Sequence, residues 1–178
     1  MQPLNFATPR GDIMIREAIP ADLVQYRELR LHGLQEAPTA FSADYQSSFN
    51  RPISFWEGRL NFDEFGMVFF AQHTGNLIGM TGIRKRESPK TRHSADIYSV
   101  YVRPEWRGLH IAERFIAACV DWAKAREVNI LKLGVMTTNA SAVRCYERCG
   151  FKIYGTEPRD VFYEGNYYDL HLMYREIS

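Results

Sequence analysis

A short basic turn, Arg107-Gly108, separates two segments of regular pattern. Apolar and aromatic side chains alternate before it, at Tyr98, Val100 and Val102, as they do in a β-strand. An amphipathic helical pattern begins directly after it, near Leu109. The start of a helix presents unpaired backbone N–H groups and the positive end of the helix dipole. We therefore expect this turn to bind phosphate oxygens.

A second segment of interest covers residues 139–150 and is typical of a short helix. Asn139 suits the N-cap of that helix, and Gly150 suits the left-handed residue that commonly follows a helix. Cys145, Tyr146 and Cys149 lie between them. Cys119, Cys145 and Cys149 form no ligand spacing with histidine, so we interpret them as reduced core thiols and expect no metal.

The composition indicates a single soluble domain spanning residues 1–178, with residues 1–11 as a loose N-terminal arm. The chain is 46% apolar and 24% charged with a net charge of +1, which argues against disorder and against a surface that coats nucleic acid. The basic cluster from position 84 to 92 has no interleaved aromatic side chains, so we expect no nucleic-acid partner. Neither a signal peptide nor an apolar run of about 20 residues is evident, which predicts no membrane association and a cytoplasmic location.

The elements that position these segments follow from hydrophobic periodicity. It predicts strands over 12–17, 67–72, 76–85, 96–102, 130–136, 151–155 and 167–174, and helices from Pro20 onward and over 42–59, 109–127 and 139–149. Hairpin turns are predicted at 73–76 and 164–166. A helix links the strand over 96–102 to the strand over 130–136, which favours a parallel pairing there. We therefore expect an α+β fold with a mixed, mostly antiparallel sheet and helices on both faces.

Two motifs in this order closely resemble the GNAT superfamily of N-acetyltransferases. The first is VYVRPEWRGLHIA, residues 100–112, which matches the family pattern through Arg107, Gly108 and Ala112 but carries His110 where glycine is expected. The second is TTNASAVRCYERCGF, residues 137–151. It matches the family through Asn139, Ala142, Tyr146, Gly150 and Phe151.

The resemblance implies a site for acetyl-CoA, used as co-substrate without a metal. Main-chain N–H groups of the basic turn would hold the pyrophosphate, at Arg107, Gly108, Leu109, His110, Ile111 and Ala112. The pantetheine arm would run along Tyr101 and Val102 as an added strand, with Val100 near the thioester. Asn139 would contact CoA, cap its helix, or do both. A side chain at His110 need not block binding if it points outward, but it would if that residue must take positive φ.

The resemblance also implies two proton transfers. Tyr146 lies at the family's general-acid position, and the alternative is a buried aromatic whose hydroxyl is satisfied elsewhere. Asp96 lies six residues before Val102, nominally on the same strand face, and is a candidate base or a salt-bridge partner. Glu157, Asp169 and His171 remain as relays through water.

The function implied is direct transfer of an acetyl group from acetyl-CoA to a primary amine, on a small molecule or a protein, in a ternary complex. The acceptor pocket would use the first two helices and the loop over 157–167. The alternative is a non-catalytic CoA-binding or regulatory module of the same fold, which His110 and the open question of the base favour. The family also suggests a homodimer.

Overall fold

The computed structural model describes residues 2–60 and 63–177. In that part of the chain the strands are β1 Leu4–Thr8, β2 Gly11–Glu17, β3 Gly66–His73, β4 Asn76–Lys85, β5 Ser94–Val102, β6 Ile130–Met136, β7 Lys152–Tyr163 and β8 Asn166–Glu176. The α-helices are α1 Leu23–Glu36, α2 Tyr45–Phe49, α3 Ile53–Leu60, α4 Ile111–Lys124 and α5 Ala140–Arg148. The longest of these helices have 14 residues, and none of them is both long enough and apolar enough to span a bilayer.

All eight strands form one sheet in the order β1-β2-β3-β4-β5-β6-β8-β7. Every neighbouring pair is antiparallel except β5 and β6, which are parallel and connected through α4. Helices α4 and α5 pack on one face, and α1 and α3 pack on the other. The predicted α+β architecture is confirmed, as are the two hairpin turns, where Thr74, Gly75, Glu164 and Gly165 all have positive φ.

The parallel strands β5 and β6 pair over only three residues. Ser94, Ala95 and Asp96 pair with residues 130–132, and beyond them β5 has a partner only on its β4 side. The sheet is therefore split between the end of β5 and the end of β6. This split lies beside the first turn of α4.

A β-bulge at Ser99 reverses the faces of β5. Tyr98 pairs with Gly82 and Tyr101 pairs with Met80, so two residues of β5 oppose one residue of β4, and Ser99 has a φ of 56°. Before the bulge, Ala95 and Ile97 pack in the core under α4. After it, Tyr101 packs under α1, while Val100 and Val102 face the α4 core.

Three segments differ from the sequence-based expectation. Residues 4–8, expected in a loose arm, form the edge strand β1 paired with β2. The helix expected over 42–59 is two helices, because Pro52 cannot continue the first one. Strand β7 runs to Tyr163 instead of residue 155 and is bulged between Glu157 and Val161, where Arg159 has a φ of 56°.

The three cysteines are unpaired, as expected. Cys119 and Cys145 are buried and Cys149 is half-buried. Within the described ranges no three His, Cys, Asp or Glu side chains converge as a metal site would require.

Candidate active site

A cavity of about 500 Å³ opens beside the split in the sheet. We call it the large cleft, and its walls are the end of β5, the turn into α4 and one face of α5. Of the ten residues that the sequence placed at the cofactor, nine line it: Val100, Tyr101, Val102, Arg107, Gly108, His110, Ile111, Ala112 and Asn139. Leu109 does not line it and packs against the α4 core instead.

The turn into α4 forms a concave row of free N–H groups. Backbone N–H groups of residues 108–113 donate no hydrogen bond to any described residue. Gly108 has a φ of 79° and His110, the N-cap of α4, has a φ of 58°. Left-handed residues within such a turn point successive N–H groups to one side, which creates a nest for an anion.

His110 adopts the left-handed conformation without filling the cleft floor with its ring. Its side chain is 73% exposed and its Nδ1 lies 3.1 Å from a carboxylate oxygen of Glu113. Burial raises the pKa of Glu113, but hydrogen bonds from Arg148 and His110 outweigh that effect and hold the pKa below its ordinary value. The two expectations for His110 therefore oppose each other in this structure: φ is positive, which was expected to block binding, but the side chain is exposed, which was expected to allow it.

The arginines around the turn differ in their hydrogen-bond and ion-pair partners. Arg107 is bound to Glu36 and also donates its Nε to the Val102 carbonyl at 3.1 Å. Arg103, just before the turn, donates its Nε to the Leu77 carbonyl at 3.4 Å and lines a different cavity. Arg144, which sequence reasoning did not single out, lines the large cleft and has no ion pair in the described ranges. The sequence signal that could have identified Arg144 is its spacing of four residues from Arg148, which places both on the same face of α5.

A second, smaller cavity of about 80 Å³ lies in the split between β5 and β6. We call it the split cavity, and its walls come from the bulged part of β5, the end of β6 and Phe41. Tyr146, Val100 and Asn139 line both this cavity and the large cleft. These three residues therefore stand where the two spaces meet.

Tyr146 is a buried phenol at this junction. The residue is 7% exposed and packs in the α4 core against Phe151. Its hydroxyl makes no hydrogen bond with the described residues. Burial is the main cause that raises the pKa of Tyr146 above its ordinary value. The phenol is thus neutral, holds its proton and faces a cavity rather than a protein partner.

Asn139 serves as a helix cap and retains a free donor. Its Oδ1 accepts hydrogen bonds from the Ala142 N–H at 3.2 Å and from the Ser141 hydroxyl at 3.0 Å. Its side-chain NH₂ group has no acceptor among the described residues, while the residue lines both cavities. The two roles expected of Asn139 are compatible in this geometry.

Asp96 lies away from both cavities, and the expectation that it shares a face with Val102 is wrong. The bulge at Ser99 inserts one residue between them, so their side chains point to opposite faces. Both carboxylate oxygens of Asp96 accept hydrogen bonds from Arg86, at 3.0 and 3.1 Å. The salt-bridge role left open for Asp96 is the one that the geometry supports.

Two of the other candidate relays, Asp169 and His171, are also engaged elsewhere. Asp169 accepts a hydrogen bond from the Arg159 N–H at 2.8 Å, and His171 contacts the Thr156 hydroxyl at 3.0 Å. These two and Glu157 do not line the large cleft or the split cavity.

A third cavity of about 270 Å³ lies on the α1 and α3 side of the sheet. We call it the side cavity; it is lined by Tyr26, Gly58, Arg59, Asp63, Gly66, Met67, Val68, Arg84 and Tyr98. Tyr98 also lines the split cavity. One aromatic side chain therefore forms a wall of both spaces.

The fold is shared with solved acetyltransferase structures. An acetyltransferase from Streptococcus pneumoniae superposes with a TM-score of 0.82 at 24% identity, covering 93% of this chain and 99% of that one. An acetyltransferase from Salmonella typhimurium, determined with its cofactor acetyl-CoA, gives 0.76 at 20% identity over 93% and 94%. A ribosomal-protein-alanine N-acetyltransferase from Brucella melitensis gives 0.75 at 26% identity over 91% and 98%. The architecture is thus that of a class of acyl-group transferases.

Residues 31–151 match the model of the acetyltransferase (GNAT) family, and this chain belongs to that family. Its relatives include an L-amino acid N-acetyltransferase from Escherichia coli, 29% identical over 57% of this chain and 62% of that protein. They also include a mycothiol acetyltransferase from Acidothermus cellulolyticus, 27% identical over 91% of this chain and 50% of that protein. The chain therefore spans between half and about three fifths of the length of these two relatives.

Proposed function

We propose that this chain is an N-acetyltransferase that moves an acetyl group from acetyl-CoA directly to a primary amine of a small molecule or a protein, in a ternary complex. The observation that carries the proposal is the row of six N–H groups at residues 108–113 that have no partner in the described chain, next to a split sheet and a proton-bearing phenol. Each of these three features answers one requirement of the reaction.

The first requirement is a site for the pyrophosphate of CoA. A diphosphate carries its negative charge on oxygens that accept several hydrogen bonds at once, and free N–H groups at a helix N-terminus match it. Gly108 leaves open space where a Cβ would stand, so phosphate oxygens can approach the backbone there. Arg144 adds an unpaired positive charge at the same cleft.

The second requirement is an extended path for the pantetheine arm. Residues 97–102 of β5 have no strand on their β6 side, so their outward backbone groups can pair with the amides of the arm. Val100 lies at the junction with the split cavity. An arm that follows β5 from the turn thus brings its thioester to the place where Tyr146 stands.

The third requirement concerns protons. The bound thioester supplies an activated acetyl group: the amine nitrogen forms a new C–N bond and releases a proton as it becomes an amide, the C–S bond breaks, and the leaving thiolate takes up a proton. Tyr146 can donate that proton, because burial keeps the phenol neutral and its hydroxyl has no competing partner in the described chain.

The amine must also lose a proton before it attacks, since a primary amine has a pKa near 10. In the described chain, no Asp, Glu or His side chain lines the split cavity. We infer that water accepts this proton within the split cavity. The same absence is the observation that favours the second candidate function, a CoA-binding module without turnover.

The relatives do not separate the two kinds of acceptor. One relative is named as an L-amino acid N-acetyltransferase, and a structural neighbour is named as a ribosomal-protein-alanine N-acetyltransferase. The proposed acceptor is therefore a primary amine on either a small molecule or a protein.

The test measures thiol released from acetyl-CoA over a panel of small primary amines and peptides with free N-termini. We expect release that depends on the amine in the wild type and falls sharply in Tyr146→Phe. Tight CoA binding without turnover in either form would support the non-catalytic module. Mass spectrometry of the purified protein gives an independent check, since co-purifying CoA species are expected for both functions and their absence, together with no CoA binding, contradicts both.

A further inference from the structure

Phe41 forms one wall of the split cavity and lies on the segment that connects α1 to α2. It directly follows the short 3₁₀ helix Pro38–Ala40, is half-buried, and lines the large cleft as well. Four further walls are apolar strand side chains, each at most 6% exposed: Ile97, Leu133, Val135 and Met136. Side chains packed in a sheet core have little freedom to move. Phe41 is therefore the wall that a larger occupant of the cavity would have to displace.

The split cavity has room for a short acyl group only. Its volume is about 80 Å³. Roughly 10–15 Å³ of such open volume admits one water molecule, so the cavity takes about six small groups. An arm that follows β5 brings its thioester to Val100, and the acyl group then enters the split cavity beside Tyr146. The acetyl group, the attacking nitrogen and the carbon that bears this nitrogen already fill most of the space.

Two side chains hold the Phe41 ring in place. The Arg30 guanidinium lies 4.3 Å from the centroid of the ring, and the centroid of the Tyr101 ring lies 6.3 Å away. Tyr101 is fixed in turn by His32, whose Nδ1 lies 2.8 Å from the Tyr101 hydroxyl oxygen. Since Arg30 and His32 belong to α1 and Tyr101 belongs to β5, the Phe41 ring is anchored to both the helix and the sheet.

Arg30 is a buried cation that contacts an aromatic ring instead of a carboxylate. The residue is 7% exposed, and its Nη1 is fully enclosed without a hydrogen-bond partner. No carboxylate within residues 2–60 and 63–177 forms a salt bridge with it. Burial lowers the pKa of Arg30 to about 10, so the guanidinium still carries its charge at neutral pH. A buried cation is costly without an attractive partner, and the Phe41 ring supplies a cation–π contact.

We propose that Phe41 limits the length of the acyl group that the enzyme transfers, and that Arg30 is the positioning residue that holds its ring. The assignment rests on the proposed function and deepens it, because it names the residue that restricts the donor to short acyl-CoA thioesters. One methylene more or less in an apolar pocket changes kcat/KM by about 10- to 200-fold. A chain that is two carbons longer than acetyl is therefore enough to reveal the limit.

The test compares acetyl-, propanoyl-, butanoyl- and hexanoyl-CoA as donors to one amine that the wild type acetylates. The measured quantity is the ratio of kcat/KM for butanoyl-CoA over acetyl-CoA. The variants are Phe41→Ala, Phe41→Leu, Arg30→Met and Arg30→Lys. A matched control is available in a second pair of the same kind, since the Arg27 guanidinium lies 5.3 Å from the centroid of the Phe49 ring, outside both cavities. The control variants are Arg27→Met and Phe49→Ala.

The wild type should use butanoyl-CoA at least about 100-fold less well than acetyl-CoA. Phe41→Ala should raise the ratio by about tenfold or more and Phe41→Leu by a smaller factor, because each removes part of the wall. Arg30→Met should also raise the ratio, because the ring loses its anchor, whereas Arg30→Lys keeps a cation and stays close to the wild type. The control variants should leave the ratio unchanged.

Two results overturn the role of Phe41 while leaving the transferase function intact. One is equal use of all four donors by the wild type, and the other is a ratio in Phe41→Ala that equals the wild-type ratio. For Arg30, a loss of kcat/KM that is equal for both donors contradicts the positioning role, since a purely structural residue would not change the ratio.

A binding measurement covers the case in which turnover is absent. Calorimetry without an amine should show weaker binding of butanoyl-CoA than of acetyl-CoA to the wild type and to Phe49→Ala, and a smaller difference in Phe41→Ala. Equal binding of the two thioesters by the wild type contradicts the inference alone. No binding of either thioester contradicts the proposed function as well.

Discussion

Glu36 and Arg107 join the end of α1 to the turn before α4, although 71 residues separate them in sequence. The Arg107 Nη1 donates to a Glu36 carboxylate oxygen at 3.1 Å, and its Nε donates to the Val102 carbonyl at 3.1 Å. The arginine that the motif offers for phosphate binding is thus already neutralised by a carboxylate. The electrostatic attraction of the turn for an anion therefore depends on Glu36.

Glu36→Gln should strengthen the binding of acetyl-CoA, because it removes a negative charge near the site of the pyrophosphate and frees Arg107. A unit charge several ångströms away in a solvated setting is worth about 1 kcal/mol, so KM for acetyl-CoA should fall by roughly threefold to fivefold at low salt. Glu28→Gln, on the same helix but outside the large cleft, is the control and should leave KM unchanged. A rise in KM would show instead that the ion pair is needed to hold the turn in shape.

Tyr146→Phe tests the general acid. Removing the hydroxyl should lower kcat by about 10² or more, the range of general acid catalysis, with little change in KM for acetyl-CoA. Unfolding temperature should change little, because the hydroxyl has no hydrogen-bond partner among the described residues. A variant that folds normally and keeps its full kcat would show that Tyr146 is not the general acid.

The pH dependence of activity follows from the same phenol. Burial raises the pKa of Tyr146 above its ordinary value near 10, so the group stays protonated throughout the neutral and mildly alkaline range. We expect kcat/KM to rise with pH as the free amine becomes more abundant, without an alkaline decline below about pH 10. Initial rates between pH 6 and about pH 10 check this, and a decline centred near pH 8 would assign the acid to another group.

A related change is expected in stability. Because the folded-state pKa of Tyr146 is raised, its stabilising contribution is complete below the unfolded pKa near 10 and is lost as pH rises toward the folded value. The free energy of unfolding should therefore fall above about pH 10, and it should fall less steeply in Tyr146→Phe. Denaturant unfolding at neutral pH and at about pH 11 measures the difference, and equal slopes in both proteins would contradict the assignment.

His110→Gly tests backbone strain in the turn. A left-handed residue with a Cβ costs about 1 kcal/mol relative to glycine, and His110 has a φ of 58°. The variant should gain stability of up to about 1 kcal/mol and should bind CoA at least as well as the wild type. Glu127→Gly is a matched control, since Glu127 has a φ of 57° and lies outside the large cleft. It should gain similar stability with no effect on CoA binding, and weaker CoA binding in His110→Gly alone would assign the imidazole a direct role.

Asp96→Asn separates the salt-bridge role from the role of base. We expect kcat and its pH profile to stay within about twofold of the wild type, because Asp96 is bound to Arg86 and lies outside both cavities at the split. Stability should change by less than about 1 kcal/mol, as is usual for an exposed ion pair. A large fall in kcat in Asp96→Asn would instead indicate that Asp96 is the base.

Local patterns were enough to predict the turn before α4 and the cap at Asn139, because each depends on residues close together in sequence. The place of Tyr146 at the site was an expectation from the family resemblance. The bulge at Ser99 had no such signal, since serine has no strong preference for positive φ, and this is why Asp96 was assigned to the wrong face. The burial of Arg30 was equally hidden. Its surroundings come from α1, α3 and Phe41, and only the folded chain brings them together.

Strand β7 forms one border of the sheet, with β8 as its sole neighbour in the described structure. Pro158 has no amide hydrogen, and with Arg159 it bends the strand between Glu157 and Val161. A second polypeptide aligning along this border would find a continuous ladder only up to Glu157. The interruption therefore limits how far copies of the protein can stack edge to edge, and protects against uncontrolled fibre-like growth.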